Sequence, residues 1–326
     1  MTRLSILIPC LRGAEQSEET LVSVLQNRPA DCEVLVAHAL PYDDPYDLAD
    51  EVRFLHVPGH PSLVELVNAG LEVTQGDVLH TLACGIQASE GWTDSALAHF
   101  ADPKVGAVAS LIVQADQPTR IESLGVGYTL GGNRHLVGYN RPLPQRHKLA
   151  AQVRGPSLAA GFFAREVLDA LGGFASEVGD GLADIDVGLS LAELGYRTVV
   201  EPSCKLTAGG DFTGDPAAGA LARGRQLQRL FLRHAAAHGG IKAVLAHPLA
   251  IAADTWSELP RLGAAFKLLG RLVASWEFGT IQDYKQRMAE AVEYLGHEPT
   301  LEEARRLIET EPRSASEVPL PIRKAA

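Results

Sequence analysis

Gly76-Asp77-Val78-Leu79-His80-Thr81-Leu82-Ala83-Cys84-Gly85 leaves a turn, passes through a short apolar run and enters a loop, and Gly91-Trp92 opens the next helix. A short apolar run bounded by turn residues reads as a buried strand. The loop behind it carries Ala83, Cys84 and Gly85, and none of these side chains offers an oxygen ligand. The same unit recurs upstream. Leu4-Ser5-Ile6-Leu7-Ile8-Pro9 reads as a buried strand stopped by proline, and Leu21, Val24 and Leu25 then recur at helical spacing. Glu33–Ala37 is a second strand, ended by Pro41 and the acidic loop Asp43-Asp44-Pro45. Arg53–Val57 is a third strand, and Leu63, Leu66, Val67 and Leu71 mark a helix. Short apolar strands alternating with helices predict an α/β chain, Rossmann-like, with a mostly parallel sheet covered on both faces. Such an order places ligands beyond the carboxyl ends of the strands.

Composition narrows the function. The 326 residues suffice for a large core, and 46% are apolar against 21% charged. The net charge is −11, which argues against a general nucleic-acid partner, since that needs a basic footprint. Cys10, Cys32, Cys84 and Cys204 contain no C-x-x-C pair, so a zinc knuckle is not expected. Scattered cysteines fit reduced core thiols in a cytoplasmic protein. No basic region followed by an apolar stretch opens the chain, so no signal peptide is expected, and no apolar run approaches the ~20 residues of a membrane span.

Past Val105–Val113 the character changes. Gly125, Gly127, Gly131, Gly132 and Gly138 punctuate a stretch up to Pro144 without forming G-x-G-x-x-G. They read as turns in a mobile connection, or as a flap over an acceptor site. Arg165–Leu171 predicts a helix closed by Gly172-Gly173, and Leu182–Leu194 another closed by Gly195. Tyr196–Val200 predicts a strand ended by Pro202. A glycine- and alanine-rich linker spans Gly209–Gly219, and everything after it reads as helical. Leu227, Leu230 and Phe231 mark one helix, and Leu262, Phe266, Leu269 and Val273 a second. Ile281, Tyr284, Met288, Val292 and Leu295 mark a third. A capping box at Thr300-Leu301-Glu302-Glu303 predicts a last helix before a frayed tail. The domains expected are 1–210, divided after 115, then a helical region at 211–310 and a flexible tail at 311–326.

Four segments stand in order: Leu4–Pro9; Asn68-Ala69-Gly70-Leu71 with Thr74-Gln75-Gly76-Asp77; Gly161-Phe162-Phe163-Ala164-Arg165 with Leu171-Gly172-Gly173-Phe174; and Asp184-Ile185-Asp186-Val187-Gly188-Leu189 with Gly195-Tyr196-Arg197. Together they resemble the family 2 glycosyltransferases of GT-A fold, over roughly residues 3–210, and the resemblance implies a nucleotide-sugar half at 1–115 and an acceptor half at 116–210. In that family the loop at Ala83-Cys84-Gly85 carries Asp-x-Asp, whose carboxylates hold Mg2+ or Mn2+ against the donor diphosphate. Here the motif is degenerate, so the resemblance implies weak or no metal dependence. The family's Glu-Asp pair reads Ala183-Asp184, which leaves Asp184 as the implied general base of an inverting transfer. Asp184 equally reads as an N-cap of the helix that follows. Asp186 matches a second acidic position, or is a solvated or arginine-paired carboxylate. The resemblance implies substrate-binding positions at Pro9, His38, Asp43, Asn68, Gly70, Ala83, Gly85, Gly161, Arg165 and Asp186, with arginines such as Arg165 serving the donor phosphates.

Further departures bear on activity. Ala37-His38-Ala39 stands where the family places a nucleoside-binding aspartate, and Thr207-Ala208 where a histidine often follows. The Gln-x-x-Arg-Trp motif of processive synthases is absent. The pairs His56/His60 and His80/Cys84 read as loop or core residues rather than a zinc site. The resemblance thus implies a glycosyltransferase with a nucleotide-sugar donor and a saccharide, lipid or protein acceptor. Its rival is a catalytically degenerate GT-A protein that binds a ligand or partner. The basic and apolar C-terminal helices read as a lid or homodimer surface, or as a peripheral contact with the inner membrane face.

Overall fold

Strand β1 (Leu4–Cys10) sits between β2 (Cys32–His38) and β4 (Val78–Thr81), parallel to both, and β2 carries β3 (Arg53–His56) on its far side. Side chains alternate across this sheet. Leu7, Leu35 and Leu79 enter the core on one face, while Ile6, Ile8, Val34 and Val36 enter the core on the other. A strand buried on both faces reads as a continuous apolar run, as these strands do in the sequence. The computed structural model describes residues 3–11, 17–42, 44–129, 131–209, 219–235, 241–258 and 262–296.

The remaining strands are β5 (Ile86–Ala88), β6 (Val105–Gln114), β7 (Ile121–Ser123), β8 (Val126–Tyr128), β9 (Arg134–Leu136), β10 (Gly161–Ala164) and β11 (Arg197–Ala208). The main sheet runs β3-β2-β1-β4-β10-β6-β11-β5, with β7 paired to β6. Strand β10 is antiparallel between β4 and β6, so late residues are threaded into the middle of the sheet that the first residues begin. Helices α1 (Glu18–Asn27) and α3 (Asp94–His99) belong to one face. Helices α2 (Leu63–Val73), α5 (Arg165–Ala170) and α6 (Ala183–Glu193) cover the other, and α4 (Arg146–Ala150) lies on the connection between them in sequence. Ser62 and Glu65 form a capping box at the start of α2, and Asp180 adds its carboxylate to the amides of Leu63 and Val64.

Several elements differ from expectation for stated physical reasons. Strand β1 continues through Pro9 to Cys10 along β2, while its pairing with β4 stops at Leu7, so the N–H that Pro9 lacks falls on the side where the ladder has ended. Strand β11 continues past Pro202, with the ladder shifted between Glu201 and Lys205, so the missing N–H falls in a bulge. The glycine-rich stretch is not a plain connection. Strands β8 and β9 form an antiparallel ribbon within it, three residues each, too short for a periodic signal.

Four helices follow: α7 (Ala220–His234), α8 (Ile241–Glu258), α9 (Leu262–Ala274) and α10 (Phe278–Leu295). Helices α7 and α9 pack closely enough that a Cβ on Gly224 would lie 1.9 Å from the Lys267 carbonyl oxygen. Phe266, Leu269 and Val273, the periodic residues of α9, are exposed, as are Leu245, Leu249 and Trp256 on α8 and Trp276 after α9. The capping box at 300–303, most of the linker at 209–219 and the tail lie outside the described residues.

Candidate donor site at the sheet edge

The carboxyl ends of β1, β2 and β4 meet at one edge, and the loop at Ala83-Cys84-Gly85 leaves β4 there. Backbone contacts fix this loop on three sides. The Ala83 amide donates to the Ala159 carbonyl at 2.8 Å, the Gly85 amide to Thr20 Oγ1 at 2.9 Å, and the Gly209 amide to the Gly85 carbonyl at 2.7 Å. Gly85 holds φ +87°, and a Cβ there would meet the Gly209 carbonyl oxygen at 2.7 Å, so only glycine fits. Cys84 Sγ lies 3.0 Å from Cys10 Sγ at the end of β1 and 3.5 Å from the Pro9 carbonyl oxygen.

The segment before β10 joins this loop to Asp184. Ala159 receives the Ala83 amide, while the neighbouring Leu158 amide donates to Asp184 Oδ2 at 3.3 Å. The Gly161 carbonyl accepts from the end of β4, at His80 Nδ1 (3.0 Å) and Thr81 Oγ1 (3.4 Å). Buried His80 stacks on Phe162 at 3.7 Å and accepts from Trp92 Nε1 on its other nitrogen. Burial pushes its pKa down to about 4, so it is a neutral core residue with both nitrogens engaged.

Asp184 is 2% exposed. Arg134 Nε (2.9 Å) and Nη2 (2.6 Å) reach its Oδ1 and Oδ2, the Ile185 amide adds a third bond to Oδ1 at 2.8 Å, and Leu158 completes the set on Oδ2. A carboxylate has about four lone-pair sites, and here all are filled. The N-cap reading needs correction, since Leu182 holds that position without a side-chain bond and Asp184 lies inside the first turn. Arg134 stands on β9 behind Gly131-Gly132, and nothing in local spacing paired it with Asp184.

Asp186 is also buried, so the solvated reading is corrected while the arginine pairing is present. Its Oδ1 lies 3.0 Å from His234 Nε2 and 3.5 Å from Arg233 Nε. Glu193 accepts from His234 Nδ1 at 2.6 Å and from the Tyr284 hydroxyl at 3.0 Å. Burial opposes charge on both partners. The Arg233 guanidinium and the His234 hydrogen bond nonetheless hold Asp186 below the usual carboxylate range, and the Glu193 carboxylate helps raise His234 to about 9. This buried knot fastens α7 and α10 onto α6.

Other expected positions divide. His38 is at the edge, buried, with Nδ1 2.6 Å from the Leu40 carbonyl oxygen, and it packs with His56, Tyr42 and Phe54. That aromatic pile at the ends of β2 and β3 was not expected, because its members are spread over nineteen positions from His38 to His56. Pro9, Ala83, Gly85 and Gly161 are at the edge as well. Arg165 is not. It begins α5 beside the amino end of β4 and donates to the Leu71 and Thr74 carbonyls, which closes the C-terminus of α2. It is a strand's length from the loop and cannot meet donor phosphates. Asn68 bonds the Phe174 backbone through both amide atoms, at 2.8 Å each. A Cβ on Gly70 would lie 2.4 Å from Leu7, so Gly70 lets α2 approach the sheet. Asp43 lies outside the described residues.

The divalent cation implied by the resemblance finds no fit in this loop. Hard cations need oxygen ligands, and the loop presents a methyl, a thiol turned to another thiol, and a glycine. Among the described residues no group of three or more His, Cys, Asp or Glu side chains is placed to hold a metal ion.

No protein-family model matches the chain, and no curated protein matches it in sequence. Solved structures do match in shape. One is GalNAc-T7 with UDP, GalNAc and Mn2+, at 11% identity and TM-score 0.56, covering 92% of this chain and 58% of that one. Another is the mannosyltransferase PcManGT from Pyrobaculum calidifontis in complex with GDP-Man and Mn2+. It matches at 16% identity and TM-score 0.49, covering 90% of this chain and 86% of that one. The chain has the GT-A fold of the glycosyltransferases, with a mostly parallel sheet, flanking helices and a helical C-terminal region.

Proposed function

We propose that this chain is a glycosyltransferase that takes a nucleotide-sugar donor at the edge formed by β1, β2 and the loop at residues 83–85, with weak or no dependence on a divalent cation. The observation that carries this reading is the strip at residues 158–161. It bonds the donor loop through Ala159, Asp184 through Leu158 and the end of β4 through Gly161. The candidate donor loop and the candidate acid–base group are thereby held on one rigid support at the edge where such sheets bind ligands. Backbone amides around the loop are the groups available to a diphosphate. In an inverting transfer Asp184 would accept the acceptor hydroxyl's proton, and one Arg134 contact must give way to free a lone pair. We place the transferase within residues 1–210, with 211–310 as a helical appendage. The exposed Leu245, Leu249, Trp256 and Trp276 support an apolar contact for that appendage, with a lipid acceptor's membrane or a second copy. No described helix is long and apolar enough to cross a membrane.

A second reading, binding without turnover, is favoured by the full coordination of Asp184. Calorimetric titration with UDP, GDP, ADP, CDP and TDP, followed by a donor-consumption assay, tests both. Binding with consumption supports the transferase. Binding with no consumption across a broad acceptor panel supports the second reading, and no binding to any nucleotide sinks both.

A further inference from the structure

The pairing of β1 with β4 keeps a constant offset, Leu4 against Val78 through Leu7 against Thr81. Continued beyond the end of β4, that offset sets Cys10 against Cys84, and their sulfurs lie 3.0 Å apart. Neighbouring strands run about 4.8 Å apart, within the roughly 4.4–6.8 Å of Cα separation that a disulfide spans. Two thiolates sharing a tetrahedral zinc would need further ligands beside them, and among the described residues no His, Cys, Asp or Glu group able to hold a metal ion includes this pair.

We propose that Cys10 and Cys84 are a redox-active dithiol that closes to a disulfide across the candidate donor edge. The two cysteines have unequal roles. Cys10 is 0% exposed, whereas Cys84 is partly exposed on its loop and is the one a small oxidant reaches. The hydrogen bond from Cys10 lowers the Cys84 pKa, while burial pushes Cys32 and Cys204 up, so Cys84 has the greatest thiolate character of these three. The oxidant is a hydroperoxide. The Cys84 thiolate attacks one peroxide oxygen, an S–O bond forms, the O–O bond breaks and water departs after protonation. The Cys10 sulfur then attacks the sulfenic sulfur, an S–S bond forms, the S–O bond breaks and a second water departs with the proton from Cys10. Two thiols lose two electrons and two protons, and hydrogen peroxide becomes two waters.

Closing the gap from 3.0 Å to the about 2.05 Å of a disulfide pulls the loop toward β1 against its ties to Thr20, Ala159 and Gly209. The effect on a ligand rests on the donor-site reading above, whereas the bond itself does not. The test exposes the full-length protein to about equimolar hydrogen peroxide, blocks free thiols with iodoacetamide and maps the peptides by mass. The expected result is a Cys10–Cys84 cross-link, reversed by dithiothreitol, with Cys32 and Cys204 alkylated. Cys10→Ser should instead leave a dimedone-reactive sulfenic acid at Cys84. Should that variant fail to fold, the wild-type map decides alone. Both thiols alkylated at a dose that oxidises Cys32, or a cross-link to another cysteine, would overturn the proposal. The second arm titrates the nucleoside diphosphate panel into both forms, and the cross-linked form should bind about tenfold more weakly. Equal affinity overturns control of the edge. No binding to either form refutes the donor-site reading while the mapped cross-link stands.

Discussion

Two acidic positions two residues apart at the start of α6, and the loop at residues 83–85, make an instructive contrast. The loop at residues 83–85 carries no carboxylate, yet it is held by hydrogen bonds to three separate segments. The first turn of α6 keeps both carboxylates, yet each is committed to side chains from distant elements, Asp184 to Arg134 and Asp186 to His234 and Arg233. Presence of a functional residue type is therefore a poor guide to its availability. What decides is how many of its lone pairs the fold has already filled. Of the two, Asp184 pairs with a partly exposed arginine and is the more readily freed. Asp186 is sealed beneath α7 and α10.

The largest expected effect comes from breaking the sealed pair. Asp186→Ala removes the carboxylate that buried Arg233 and His234 share and leaves them only Glu177 and Glu193, and removing one partner of a buried pair costs about 3–5 kcal/mol. Urea unfolding checks this, and a loss below about 1 kcal/mol, the scale of a surface substitution, would show that the knot is not structural. Next is its pH dependence. His234 faces Asp186, Glu193, Arg233 and Tyr284, and its folded pKa of about 9 lies above its ordinary 6.5. The folded state thus holds the proton more tightly. Its contribution is complete below pH 6.5 and is lost as pH rises through 9. A shift of this size corresponds to roughly 3 kcal/mol. Unfolding across that window should lose stability in the wild type and much less in His234→Gln. Parallel curves for the two proteins would contradict the assignment.

Asp184→Asn sharpens the contrast at an intermediate scale. An amide nitrogen would face the Arg134 guanidinium, so stability should fall by about 1–3 kcal/mol, less than at Asp186. If transfer occurs, its rate should drop about 10²–10⁴-fold, a loss the stability change does not explain. An unchanged rate removes Asp184 as the base. The smallest effect is expected at the loop. Adding manganese or EDTA should change nucleotide affinity by less than about threefold, since no side chain there is a hard-cation ligand. A rise of a hundredfold or so with manganese would mean that oxygens elsewhere bind the ion.

Much of the frame was legible because it depends on near neighbours in the chain. The runs at Leu4–Ile8, Glu33–Ala37 and Val78–Leu82 are apolar because both faces of their strands are covered, and the observed β1, β2 and β4 follow them within a residue or two. Gly172 and Gly173, at φ +66° and +84°, close α5 as glycine pairs do. The elements missed include β5, β7, β8, β9 and β10 and the one-turn helix α4. Three or four residues carry too little periodicity to separate a strand from a turn.

By itself the sequence determined the alternation of strands and helices, the burial of the sheet on both faces, and the absence of oxygen ligands at Ala83-Cys84-Gly85. Each of these follows from residue type and local spacing. Tertiary structure alone decided which polar groups meet. It sent Arg165 to the end of α2 rather than to a phosphate, joined Arg134 to Asp184 across fifty positions, and brought Cys10 within 3.0 Å of Cys84 across seventy-four. The reason is geometric: a long-range contact is set by strand order and register, and no window of neighbouring residues contains both of its partners.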